Sequence, residues 1–249
     1  MIALPISGAA IVLRNPDGID DMLLADASGG HVEIAIALLE RLYGEVLDVP
    51  GLVVTDFESL LLQVRCARFG SEMALAFACP HCRELAEVSF PIADCLSAAK
   101  PRHVPGVVPH PSRPGWFAMA EAGFRLPTAG DQARVAGQPN AATGLSALCL
   151  DETAAKPSHR ARVERAMETM APTLSRAIAG TCPSCREKVK PGLAIAQVVV
   201  SEIKRAAGAV YDEVDLIASA YHWPEPLILS LSPQRRRAYV ERIRRRQVN

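Results

Sequence analysis

The chain carries no excess of charge of either sign, since 27 lysines and arginines face 27 aspartates and glutamates over 249 residues. No global field therefore draws it to nucleic acid or to an anionic membrane, and any such partner has to be met by a local patch. It also lacks a run of the roughly 18 uninterrupted apolar residues that a membrane-spanning helix needs. The opening residues, MIALPISGAAIVLRNPDG, are apolar but have no basic segment among the first of them, so a soluble protein made in the cytosol is expected. A G-x-S-x-G elbow, a glycine-rich phosphate loop and an H-E-x-x-H helix are missing as well, and an enzyme is not expected. Asp56, Glu58, Asp131 and Glu164 are more simply helix caps and solvated faces, and His103 and His110 exposed loop histidines.

What is present is ample material for a core. Hydrophobic residues make up 49% of the chain and the mean hydropathy is +0.13, enough for one large domain or two modest ones. GAAIVLR at 8–14 has the pattern of a short strand ended by the turn NPDG. The apolar spacing of 31–44 predicts a helix that Gly44 stops, and Thr55 with Glu58 has the capping-box spacing for a second helix running toward Gly70. At 72 the period shortens to that of a strand: EMALAFA leads into C-P-H-C and ELAEVSF leads out, a hairpin with a knuckle at its tip. Residues 100–115 hold five prolines and two histidines in sixteen positions, the composition of a linker or extended loop.

Further on, WFAMAEAGFRLPT predicts a hairpin around Glu121 to Gly123, and Thr128 with Asp131 caps a helix to about Val135. Residues 140–150 are helical in pattern. An amphipathic helix is expected over 158–178, bent at Pro172, and a long one over 194–221. Two short helical pieces over 226–246 follow, with Ser232 and Pro233 as cap and first residue. The fold class is mostly α with short β-hairpins.

Seven cysteines form an odd set, which argues against an extracellular disulfide framework. Cys66, Cys95 and Cys149 lie in apolar or helical segments and are expected as small buried hydrophobes. The other four form C-P-H-C-R-E, with Cys79 and Cys82, and C-P-S-C-R-E, with Cys182 and Cys185. A redox dithiol would place its first cysteine at a helix N-terminus, whereas strand-like residues follow Cys82. Two thiolate pairs from matching knuckles instead suit one tetrahedral Zn²⁺. The 99 residues between Cys82 and Cys182 exceed the ~15–20 of the ordinary tandem pattern. One shared site therefore requires a zinc ribbon split by a large insertion, and the alternative is two partial sites helped by His81 or Cys95. Four thiolates leave no open coordination position, so the metal would be structural. The organisation expected is 1–95 with the first knuckle, 96–178 as proline-rich linker and helical insertion, and 179–249 with the second knuckle, a long helix and a basic tail.

That tail holds Arg235, Arg236, Arg237, Arg242, Arg244, Arg245 and Arg246. Interleaved Tyr239, Val240 and Ile243 favour a solvated or protein-docking face over a phosphate-binding one, although an arginine-rich nucleic-acid binder stays open as the second reading.

Several segments together carry a resemblance. FRLPTAGDQ at 124–132, the C-P-S-C knuckle and EVDLIASAYHWPEPLILSLSPQRRRAYVERI resemble zinc-ribbon proteins encoded with contractile phage tails and related injection systems. The opening, ALPISGAAIVLRNPDGIDDMLL, is similar to the start of the T-even-type baseplate assembly family, in which a short strand and an acidic helix precede a cysteine knuckle. The C-terminal pattern is met at Tyr221, Trp223, Ile228, Leu229, Leu231, Ser232, Arg235, Arg236 and Tyr239. The chain departs from it at Arg83 and Arg186, where the family's knuckles often carry glycine. The resemblance implies a structural or assembly role in a baseplate, in the host cytoplasm during assembly or in the particle. Other tail proteins or further copies of the chain would be the partners, and docking would fall to Trp223, Arg235, Arg236, Arg237, Tyr239 and Arg242. Neither a membrane nor nucleic acid is expected as a partner.

Overall fold

The computed structural model describes residues 2–12, 14–44 and 47–248, a mostly helical chain with short antiparallel strand pairs. Strand β1 (Ile2–Ala3) pairs with β2 (Ala10–Ile11), which is shorter than the 8–14 pattern predicts; Leu13 of that pattern lies outside the described residues. The NPDG turn goes on to start a helix. Asp17 accepts the N–H groups of Ile19 and Asp20 while the Asp20 carboxylate takes the Asp17 N–H, a reciprocal cap for α1 (Gly18–Asp26). Helix α2 (His31–Tyr43) ends at Gly44, whose φ of 66° is the conformation that favours glycine there.

Helix α3 (Val54–Phe69) corrects an expectation. Thr55 and Glu58 do not form its cap, because the helix already begins at Val54 and both side chains are buried. The Thr55 hydroxyl donates to the Pro172 carbonyl at 3.0 Å, and Glu58 accepts the N–H groups of Leu174 and Ser175 at 2.7 and 3.2 Å. Asp56 is no solvated carboxylate either: it is buried and holds the Ile6 and Ser7 N–H groups. Asp131 keeps its expected cap and is buried against Arg125.

Strands β3 (Glu72–Ala78) and β4 (Leu85–Pro91) form the predicted hairpin, in register from Glu72 with Pro91 to Ala78 with Leu85. After α4 (Ile92–Ala98) the proline-rich stretch is more ordered than a linker. It supplies β5 (Val107–Pro109), the edge of a three-stranded sheet with β6 (Trp116–Met119) and β7 (Ala122–Arg125). Helices α5 (Ala129–Val135), α6 (Ala141–Cys149) and α7 (Pro157–Met170) follow. Helix α7 stops short of Pro172 instead of bending through it to 178. Proline has no N–H to continue the ladder, and Glu58 captures the N–H groups just beyond.

Strands β8 (Gly180–Thr181) and β9 (Lys188–Val189) make the second small hairpin. The long helix expected over 194–221 is divided at Gly208 into α8 (Ile195–Ala207) and α9 (Val210–Tyr221). The break lets two helices address two cores. Val199, Ile203 and Ala207 of α8 are buried in the largest cluster with α1, α2 and α3, whereas Ile217 of α9 packs with Ile228, Val240 and Ile243. Those last residues sit on α10 (Glu225–Leu229) and α11 (Pro233–Val248), the second of which is longer than the short piece expected. The insertion builds its own cluster around Phe124, Cys149 and Val163. The largest core thus mixes residues of 1–95 with α8.

Candidate metal centre

Each knuckle closes its hairpin by the same two backbone bonds. Cys79 donates its N–H to the Glu84 carbonyl and Arg83 donates to the Cys79 carbonyl, both at 2.9 Å. In the second knuckle Cys182 to Glu187 and Arg186 to Cys182 repeat the pattern, again at 2.9 Å. The residue after the second cysteine must turn back sharply. Arg83 and Arg186 do so with φ of 64° and 63°, in the left-handed region that glycine enters without strain. Arginine at a position that favours glycine therefore leaves both turns intact.

The two tips face each other. The sulfurs of Cys79 and Cys185 are 3.7 Å apart, those of Cys82 and Cys182 3.8 Å, and all four lie within 4.8 Å of one another. Four thiolates around a tetrahedral ion at about 2.3 Å stand about 3.8 Å from each other, so the donor set fits a metal ion of that kind. Cys79 and Cys182 are buried with Ala86 and Val189 beneath them, while Cys82 and Cys185 are half-buried. Close approach of the hairpins depends on Gly180, where a Cβ would come within 2.7 Å of Val88 on β4.

The sulfurs also oppose one another electrostatically. Backbone N–H groups of Cys185 and then Ser184 hold the Cys182 thiol down to about 6. Against the backbone N–H of Glu187, burial and the neighbouring sulfurs push Cys185 up to about 12. One thiolate is favoured in this cluster and further ones are resisted, which a cation among them would reverse.

His81 is exposed, and Cys95 is buried in the largest core away from the cluster, so neither completes a partial site. Cys149 is buried as expected, with burial raising its thiol to about 11, and Cys66 is half-buried. Cys79 follows a strand, so no helix terminus is there to stabilise its thiolate.

The tail residues do not share one surface. Arg235, Arg237 and Arg242 are exposed, while Trp223 and Tyr239 are half-buried. Arg236 is 1% exposed and cannot dock anything: it pairs with Asp21 of α1 and with Glu213 of α9 at 2.8 Å, and donates to the Leu231 carbonyl at 2.8 Å. Asp21 also receives Arg68 of α3, so a buried ion network joins α1, α3, α9 and α11. Sequence reading missed this network because Asp20 and Asp21 look like any acidic first turn. Among the described residues no helix is long and apolar enough to cross a membrane. No family model matches the chain, and neither a curated protein nor a solved structure matches it.

Proposed function

We propose that the chain is a non-enzymatic structural or assembly component of a contractile phage tail or injection-system baseplate, folded around one structural Zn²⁺. The observation that carries the metal reading is the meeting of two sulfur pairs, 100 positions apart in sequence, at the separation of a tetrahedral donor set. Cys79, Cys82, Cys182 and Cys185 would hold the ion in a ribbon split by residues 96–178. When bound, zinc would neutralise the thiolates and cross-link the hairpins, with no coordination position left for substrate or water. The baseplate assignment rests on the sequence resemblance, and tail proteins are the partners it names.

A firmly tied helical base supports the assembly reading. Arg65 of α3 forms a two-pronged pair with Glu202 of α8 at 3.0 and 2.9 Å, beside the point where α3 leads into the first hairpin. The Arg65 guanidinium also caps the Gly70 carbonyl at 2.7 Å. The hairpins therefore leave a rigid helical base, and the remaining helices can present fixed faces to neighbours.

Elemental analysis of protein purified under reducing conditions tests the centre. One zinc per chain is expected, lost in Cys182→Ser together with a fall in melting temperature of about 10 °C. A chain without zinc, or one that keeps it after the substitution, overturns the shared site. Failure to co-purify with tail proteins when expressed beside them overturns the assembly role.

A further inference from the structure

Helix α11 is fastened by one face and left open on another. Arg236, Val240 and Ile243 are buried, which fixes the rotation of the helix. Arg235, Arg242 and Arg246 are exposed at i, i+7 and i+11, one stripe along a flank of the helix roughly 100° around from the buried face, and none of the three is ion-paired among the described residues. Tyr239 lies on the same stripe at i+4. Its ring meets the edges of Trp223 and Tyr221 at 5.1 and 5.6 Å, and Trp223 and Tyr221 stack at 5.2 Å. The Arg246 guanidinium lies 6.0 Å over the Tyr221 ring. Half-exposed tryptophan and tyrosine bordered by arginines is the composition that dominates the energetics of protein interfaces, and here it is held rigid before any partner arrives.

We propose that this face docks an acidic polypeptide segment that carries apolar side chains between its carboxylates. The positive stripe supplies charge complementarity and the aromatic cluster supplies the apolar seat. A nucleic acid fits less well for two reasons. Tyr221 and Trp223 turn one face on each other and both meet Tyr239 edge-to-face, which leaves less open ring face for stacked bases than for apolar side chains packed against the half-exposed cluster. The chain is also neutral overall, with 27 basic against 27 acidic residues, so no wider positive field extends the stripe along a phosphate backbone. This surface deepens the docking part of the reading above and does not depend on the metal.

The test uses the full reduced chain and three probes: a labelled peptide in which glutamates alternate with leucines, its lysine counterpart, and a duplex DNA. Binding of the acidic peptide, weakened by salt, is expected, and no binding of the lysine peptide. Combined Arg235→Glu, Arg242→Glu and Arg246→Glu should weaken it at least about tenfold, with an unchanged melting temperature. Tighter binding of the duplex, or no binding of the acidic peptide, overturns the proposal. Co-purification with tail proteins that survives the triple substitution would keep the assembly role and overturn this surface.

Discussion

Arg83 and Arg186 each stand in a backbone conformation that costs an L-residue roughly 1–2 kcal/mol. Glycine would relieve that strain but lose more chain entropy on folding, about 0.5–1 kcal/mol. Arg83→Gly is therefore expected to raise stability by about 0.5–1 kcal/mol in urea unfolding while keeping the metal content unchanged. A loss of stability would show that the arginine side chain does something the turn does not require. Glu58 makes a different demand. Burial raises its pKa against four hydrogen bonds, from the Ser175 hydroxyl, the Leu174 and Ser175 N–H groups and the Thr173 hydroxyl. The folded chain thus holds the Glu58 proton more tightly than the unfolded chain. The resulting stabilisation is full below the ordinary glutamate value and fades as pH rises through the raised folded value. Glu58→Gln should remove that part of the pH dependence of the urea midpoint, and parallel profiles for the two proteins would refute it. Glu58→Ala should cost about 2–4 kcal/mol, because several buried donors lose their acceptor.

Between elements, close approaches decide more than propensities. A Cβ on Gly18 would meet the Cα and carbonyl oxygen of Leu229 at 2.8 Å, and backbone cannot move aside as a side chain can. Gly18→Ala should therefore destabilise by about 1–3 kcal/mol in urea titration. Gly192→Ala, with nothing within 4 Å of its Cβ, is the control expected near zero. Such contacts explain which elements were legible in the sequence. The hairpin at 72–90, the 31–43 helix and the Thr128 cap depend on neighbours a few residues away, so their period and spacing disclose them. The cysteine cluster was legible too, because each pair carries its geometry in four residues. Glu58 was misread as half of a local cap because its partners lie 115–117 positions away, and Arg236 as a docking residue because its partners lie on α1 and α9. Where a charged side chain finds its mate across the fold, local spacing has nothing to say.

For the whole molecule, the insertion is an excursion whose two ends are gathered at one place. Residues 1–99 and α8 share a core, Glu58 holds 173–175, and the four sulfurs meet where the first hairpin faces the second. A specific protease site placed in the exposed 111–115 loop should accordingly give two fragments that co-elute under native conditions and separate only with chelator and denaturant. Separation in buffer alone would refute the shared core. The same topology bears on how the chain comes off the ribosome. The apolar faces of α1, α2 and α3 are complete once Phe69 has emerged, yet the helix that covers them begins 126 residues later, at Ile195. At about 5–20 residues per second those faces stay bare for on the order of ten seconds, long enough for other proteins near the ribosome to find them first.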